Sequence, residues 1–283
     1  MRRGSSVLVG MALALCFAFG GSAPGAVTIG TNLTGPADEI NPGCSVACTT
    51  MNLAVPTDNA PGGLTSQVNG TVTSWQFKSV TAGGSIALRI LRPAGGTSFT
   101  GAGTSAPVTP NGTVPAQGPF PASLPIRVGD SVGLDATAGQ TPLIDTPATQ
   151  LYWNAPTLAN GQTAQGIFGT REVAVQAVVE PSNTVTFGTP ARNKKKGTAT
   201  ITMTVPNAGQ LIYSGNGLSL TGPPNVSVPG NVQLIVKAIG KKRKKLARKG
   251  KLGVSFQVSF TPSQGSLHTS TENLKLRKKL QRP

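Results

Sequence analysis

The sequence predicts an all-β protein, two antiparallel β-sandwiches behind an export signal. Three observations predict it. Apolar residues recur with a period of two, as in Leu252, Val254, Phe256, Val258 and Phe260, which puts them on one face of a half-buried strand. Gly-Gly, Pro-Gly, Asn-Gly and Gly-Asp pairs separate the runs, as turns between antiparallel strands require. Charge is divided sharply along the chain: residues 27–180 hold 5 basic and 8 acidic side chains, whereas 181–283 hold 18 basic and one acidic, Glu272. That step separates two expected domains, 27–180 and 181–283.

The N-terminus comes first. Arg2 and Arg3 precede the apolar run Val7–Phe19, and the small residues GGSAPGA follow. This is the layout of a secretory signal peptide, residues 1–26, cleaved between Ala23 and Ala26. The apolar run is too short to cross a bilayer core of about 30 Å as a helix, so no transmembrane anchor is expected. The mature chain should be secreted or associated with the cell surface. Without Cys16, the cysteines left are Cys44 and Cys48. So close an even pair in an exported chain most simply forms a local disulfide. With no histidine nearby it is a poor zinc site, and neither metal nor cofactor is expected.

In 27–180 the expected strands are Thr71–Ser79, Ser85–Arg92, Pro125–Leu134, Leu151–Trp153 and Glu172–Val179. No segment longer than ten residues shows a helical period, so an antiparallel, jelly-roll-like sandwich is the expected layout. Trp75, Tyr152 and Trp153 are candidates for an aromatic platform that stacks a sugar ring. Against that, Trp75 shares a face with Phe77, where large aromatics belong to a core. Asp130, Asp135 and Asp145 are candidate oxygens for Ca²⁺, although Gly129-Asp130 reads more simply as a turn.

In 181–283 the strands read Thr184–Phe187, Thr198–Val205, Gln210–Ser214, Gly217–Leu220, Asn231–Ala238, Lys251–Thr261 and Leu267–Arg277. Seven short strands suggest an immunoglobulin-like sandwich, here without the cysteine pair or tyrosine corner. In that topology the first-to-second loop, the fifth-to-sixth loop and the end of the last strand share one pole. Those places carry Arg192, Lys194, Lys195 and Lys196; then Lys241, Lys242, Arg243, Lys244, Lys245, Arg248, Lys249 and Lys251; then Lys275, Arg277, Lys278 and Lys279. The run Lys241–Lys251 cannot enter a core, so it is expected as a solvated connection. Leu246, its one large apolar residue, should plug onto the sandwich.

The series VTFG (185–188), KKKGTATITMTVPNAG (194–209), SGNGL (214–218), VQLIVKA (232–238), GKKRKKLARKGK (240–251) and VSFTP (258–262) resembles the basic Ig-like C-terminal domain of many exported proteins of high-GC Gram-positive bacteria. SWQFK (74–78), IALRILRP (86–93) and LPIRVGDSVGL (124–134) are similar to the β-sandwich region that often precedes it. Together these cover nearly the whole mature chain. The resemblance implies fold and export; that group has no assigned activity, and no functional residue carries over.

Catalytic apparatus is not evident. The sequence has one histidine, His268, beside Leu267 and Thr269, and no Gly-x-Ser-x-Gly, HExxH or phosphate-binding glycine loop. A non-catalytic protein is therefore expected. Eighteen cations against one acid call for a polyanionic partner, which would relieve their self-repulsion. Outside a cell the expected partners are anionic cell-wall polymers or glycans. Sequence-specific nucleic-acid binding is not expected, because the basic clusters lack aromatic rings for stacking. The other reading is a carbohydrate-binding or adhesive module acting through the N-terminal sandwich.

Overall fold

The computed structural model of the 283-residue chain describes residues 25–35, 44–54, 62–113, 115–140, 143–144, 151–169 and 171–280. The expected signal segment up to residue 24, Asp145 and Arg282 lie outside them. The fold is all-β, 57% strand and 4% helix, with antiparallel sheets in a sandwich-like arrangement. Among the described residues no helix is long and apolar enough to cross a membrane.

The first part of the chain contains β1 (Val27–Gly30), β2 (Cys48–Asn52), β3 (Gly70–Phe77), β4 (Ile86–Gly95), β5 (Ser98–Thr104), β6 (Gln117–Ile126) and β7 (Ser131–Ala136). It continues with β8 (Leu143–Ile144), β9 (Leu151–Asn154), β10 (Thr163–Gln165), β11 (Ile167–Gly169), β12 (Glu172–Val173) and β13 (Val175–Pro181). One sheet has the order β1-β13-β3-β6 and the facing one β10-β5-β4-β7-β2-β9-β11. Between them lies a core built from Ile29, Val72, Trp75, Phe77, Val175, Ala177 and Val179 on one side and Ile86, Leu88, Ile90, Val132 and Leu134 on the other. The expected strand Pro125–Leu134 is in fact two. Arg127–Asp130 forms a turn between β6 and β7, closed by the Asp130 amide donating to the Arg127 carbonyl at 3.0 Å. Gly129, at φ 87°, supplies the left-handed residue that this turn requires. Cys44 and Cys48 form the disulfide.

The second part contains β14 (Thr186–Phe187), β15 (Ala191–Asn193), β16 (Thr198–Val205), β17 (Gly209–Ser214), β18 (Leu218–Thr221), β19 (Asn225–Val226) and β20 (Gly230–Ala238). A helix α1 (Gly240–Lys249) follows, then β21 (Lys251–Pro262) and β22 (His268–Arg277). The sheet β14-β16-β20-β18, with β15 also on β16, faces the sheet β19-β17-β21-β22. Alternation works as the period of two requires. Ala199, Ile201, Met203 and Val205 of β16 are buried against Val254, Phe256, Val258 and Phe260 of β21, while the intervening threonines face outward.

Two asparagines join the parts. Asn207, 2% exposed, accepts the Asn69 amide at 2.7 Å and donates to the carbonyls of Asn69 at 2.9 Å and Ser182 at 2.8 Å. Asn69 in turn donates to the Pro206 carbonyl at 2.7 Å. Main-chain groups left by the ends of several strands are thereby satisfied by side chains, as burial demands.

Candidate functional site

Three basic segments meet at one end of the second sandwich. The first is the turn after β15, where Asn193 accepts the Lys196 amide at 2.9 Å through Oδ1 and the Gly197 amide at 2.8 Å through its carbonyl. These bonds hold Lys194, Lys195 and Lys196 outward, all exposed. The second is α1. The third is the end of β22 and the residues beyond it. Arg192 donates from Nε to the Lys275 carbonyl at 2.9 Å, the Lys278 amide donates to the Gly250 carbonyl at 2.8 Å, and the Lys279 amide donates to the Lys194 carbonyl at 2.7 Å. Two main-chain bonds and one from the Arg192 side chain to a main-chain carbonyl therefore bring the clusters together. Lys251 and Arg277 stand directly opposite across β21 and β22.

The stretch expected as a solvated connection is a ten-residue helix. Lys, Arg, Leu and Ala are all good helix formers, and the run contains no β-branched residue. Gly250 ends it at φ 67°, with its amide bonded to the Leu246 carbonyl at 2.9 Å, the left-handed stop that glycine permits. Leu246 is 2% exposed and is the helix's one buried side chain. Beneath it lies Gly197, where a methyl group would come within 3.2 Å of Leu246 Cδ2 and 3.3 Å of Lys278 Cδ. The helix is otherwise charged against itself. Lys241–Lys245, Lys244–Arg248 and Lys245–Lys249 repel at i,i+4, by a few tenths of a kcal/mol per pair. Its first turn has no acid and its N-cap, Ile239, gives no side-chain hydrogen bond.

Beside this pole a groove of about 570 Å³ is lined by Arg192, Lys242 and Lys275, with Ser255, Glu272 and Asn273. Sequence reasoning missed its polar members. The available signal was Glu272, the single acid of 181–283. His268 begins β22, nine residues from Arg277, about 30 Å from the pole at 3.3 Å per residue.

The aromatic platform is not assembled. Trp75 is 1% exposed, its ring 5.4 Å from that of Phe77 and 5.2 Å from that of Phe120. Tyr152 is fully buried, edge-on to Phe99, and donates to the Ala164 carbonyl at 3.2 Å; burial pushes its phenol pKa up. Trp153, the next residue in the strand, points the other way and packs partly buried on the main core. Strand alternation thus splits the adjacent pair between two apolar clusters.

The carboxylates of Asp130 and Asp135 serve arginines. Asp130 takes a two-pronged contact from Arg92 at 2.9 and 2.8 Å, and Asp135 pairs with Arg89 and accepts the Thr49 hydroxyl at 2.5 Å. Among the described residues no three His, Cys, Asp or Glu side chains gather as metal ligands. Compared with known proteins, the chain matches no family model, no curated protein and no solved structure.

Proposed function

We propose that this is a non-catalytic exported surface protein, held at the cell envelope by electrostatic binding of its basic pole to anionic polymers. In this reading residues 1–26 direct export, 27–180 form a jelly-roll-like sandwich, and 181–283 form an Ig-like sandwich that carries the pole. The partners are anionic cell-wall polymers or acidic glycans, without specific nucleic-acid recognition. The resemblance to exported two-domain proteins of high-GC Gram-positive bacteria points the same way.

The observation that supports the reading is the fastening of three basic segments into one tip, by main-chain bonds from Lys279 to Lys194 and Lys278 to Gly250 and by the Arg192 side chain on the Lys275 carbonyl. Sixteen cations held together repel one another, and an incoming polyanion relieves that cost. Near an anionic surface each contributes roughly 1 kcal/mol, so engaging half of them gives firm yet salt-sensitive attachment. The test is retention on isolated envelope fractions. The protein should bind at low salt and elute at high salt, since counterions compete for the same contacts. Replacing Lys241–Lys245 by glutamine should lower retention while leaving thermal unfolding intact; retention equal to wild type refutes the reading.

A further inference from the structure

The chain contains four Asn-Gly steps: Asn69-Gly70, Asn111-Gly112, Asn160-Gly161 and Asn216-Gly217. In such a step the glycine amide nitrogen can attack the asparagine side-chain carbonyl, because glycine has no β-carbon to crowd the five-membered ring that forms. The carboxamide must be free to swing onto the main chain, and three of the four are tied. Asn69 accepts the Val128 amide at 3.1 Å and donates to the Pro206 carbonyl at 2.7 Å. Asn111 accepts the amide and hydroxyl of Thr113 at 3.1 and 2.7 Å. Asn160 accepts from the Arg89 guanidinium. Asn216 is exposed, and among the described residues its side chain has no hydrogen-bond partner. It lies in a turn closed by the Leu218 amide donating to the Gly215 carbonyl at 3.2 Å.

That turn belongs to the pole. The Gly217 carbonyl accepts the amide of Ile239, the N-cap of α1, at 3.0 Å. The Lys242 side chain passes over Gly217, where a methyl group would come within 3.1 Å of Lys242 Cδ. A carboxylate at Asn216, one residue away, would stand beside Lys242 and near the positive end of the α1 dipole, which has no acid in its first turn. We infer that Asn216 is a deamidation site and that its conversion loosens the hold of the pole on polyanions. The Gly217 nitrogen loses its proton and bonds to Asn216 Cγ, the Cγ–Nδ2 bond breaks, and ammonia leaves. Water then opens the succinimide ring at either carbonyl, giving aspartate or isoaspartate. The net change is hydrolysis of one amide, with no oxidant or reductant, and one new negative charge. Its effect on binding rests on the polyanion reading of the pole, whereas the reaction itself does not.

The purified protein is incubated at mildly alkaline pH, which favours loss of the glycine amide proton, and peptide mapping by mass spectrometry follows all four asparagines. Asn216 should convert about tenfold faster than Asn160, whose hydrogen bond to a charged group must first break, and ahead of Asn69 and Asn111. Conversion at Asn216 no faster than at Asn69 and Asn160 overturns the site. Asn216→Asp imitates the product, and Asn216→Gln keeps a neutral amide. Titrated with inorganic polyphosphate at one ionic strength, Asn216→Asp should bind about fivefold more weakly, the scale of one charge beside an anionic surface, and Asn216→Gln should match wild type. Equal affinity of wild type and Asn216→Asp overturns the loosened hold. Equal weakening in both variants overturns it too, because the carboxamide and not the charge then matters. If wild type binds no polyphosphate, the polyanion reading fails and the loosened hold falls with it, while the conversion rates still decide the site.

Discussion

The main-chain amide of Lys279 donates to the carbonyl of Lys194 at 2.7 Å, so two lysines far apart in sequence are neighbours whatever their side chains prefer. The backbone sets this proximity of like charges. The pole's cations accordingly resist dispersal, and its packing can be probed without altering any charge.

Gly197 is the point to probe. It sits at φ 72°, and a methyl group there would crowd both Leu246 and Lys278. Gly197→Ala should cost about 1–3 kcal/mol from the left-handed backbone alone, measured by urea unfolding. Polyanion affinity should fall as well, although every cation is kept.

Leu246 fastens α1 to the core. Leu246→Ala should destabilise by about 2–4 kcal/mol through the lost burial and the cavity left behind. The helix, then held against its own charge repulsion by little else, should lose its far-ultraviolet circular dichroism signal. Added polyphosphate should restore that signal by neutralising the i,i+4 pairs.

The Asn69–Asn207 clasp predicts a change at the junction. Asn207→Ala removes three hydrogen bonds to buried or half-buried main-chain groups, each orphan costing about 1–3 kcal/mol unless water enters. Small-angle scattering should show a wider spread of separations between the two parts. Polyanion affinity should be unchanged.

Tyr213 gives the pH prediction. Burial pushes its phenol up to about 12, and the hydroxyl donates to the Pro223 carbonyl at 2.7 Å. The unfolded chain, with an ordinary tyrosine pKa near 10, releases this proton first. The native state therefore binds more protons between about pH 10 and 12, and the stabilisation present below pH 10 declines as pH rises through that window. The lysines titrate in the same range, so the comparison is with Tyr213→Phe. Wild type should be the more stable at neutral pH, and its advantage should shrink from pH 10 to 12 in denaturant titrations.

The legible parts of the fold were those where one physical rule acted alone. Ala199 to Val205 and Leu252 to Phe260 alternate because one sheet face is buried and the other wet, and no other pattern competes. Cys44 and Cys48 are too close for more than a local bridge. The meeting of Lys194, Lys241–Lys249 and Lys279 followed from strand order. The helix was hidden because a run of cations reads as solvated whatever its backbone does; residue propensity and the stop at Gly250 were the clues. The turn at Gly129-Asp130 was legible, although the apolar residues on either side of it ran together as one strand, Pro125–Leu134. Tyr152 and Trp153 looked like a platform in a linear reading, although alternation along β9 sends adjacent side chains to opposite faces. Glu272 entered the sequence reading only as the single acid of 181–283, because composition gives no neighbours; strand register places it opposite Phe256.

The measurement that bears most directly on the basic pole is polyphosphate affinity across a series of salt concentrations. Wild type is compared with three variants, each neutralising one segment: Lys194, Lys195 and Lys196; Lys241, Lys242 and Lys244; or Lys278 and Lys279, all to glutamine. The account predicts that log affinity falls linearly with log salt, and that each variant binds more weakly with a shallower slope. Wild-type affinity and slope in any one of the three variants would contradict a single converged site.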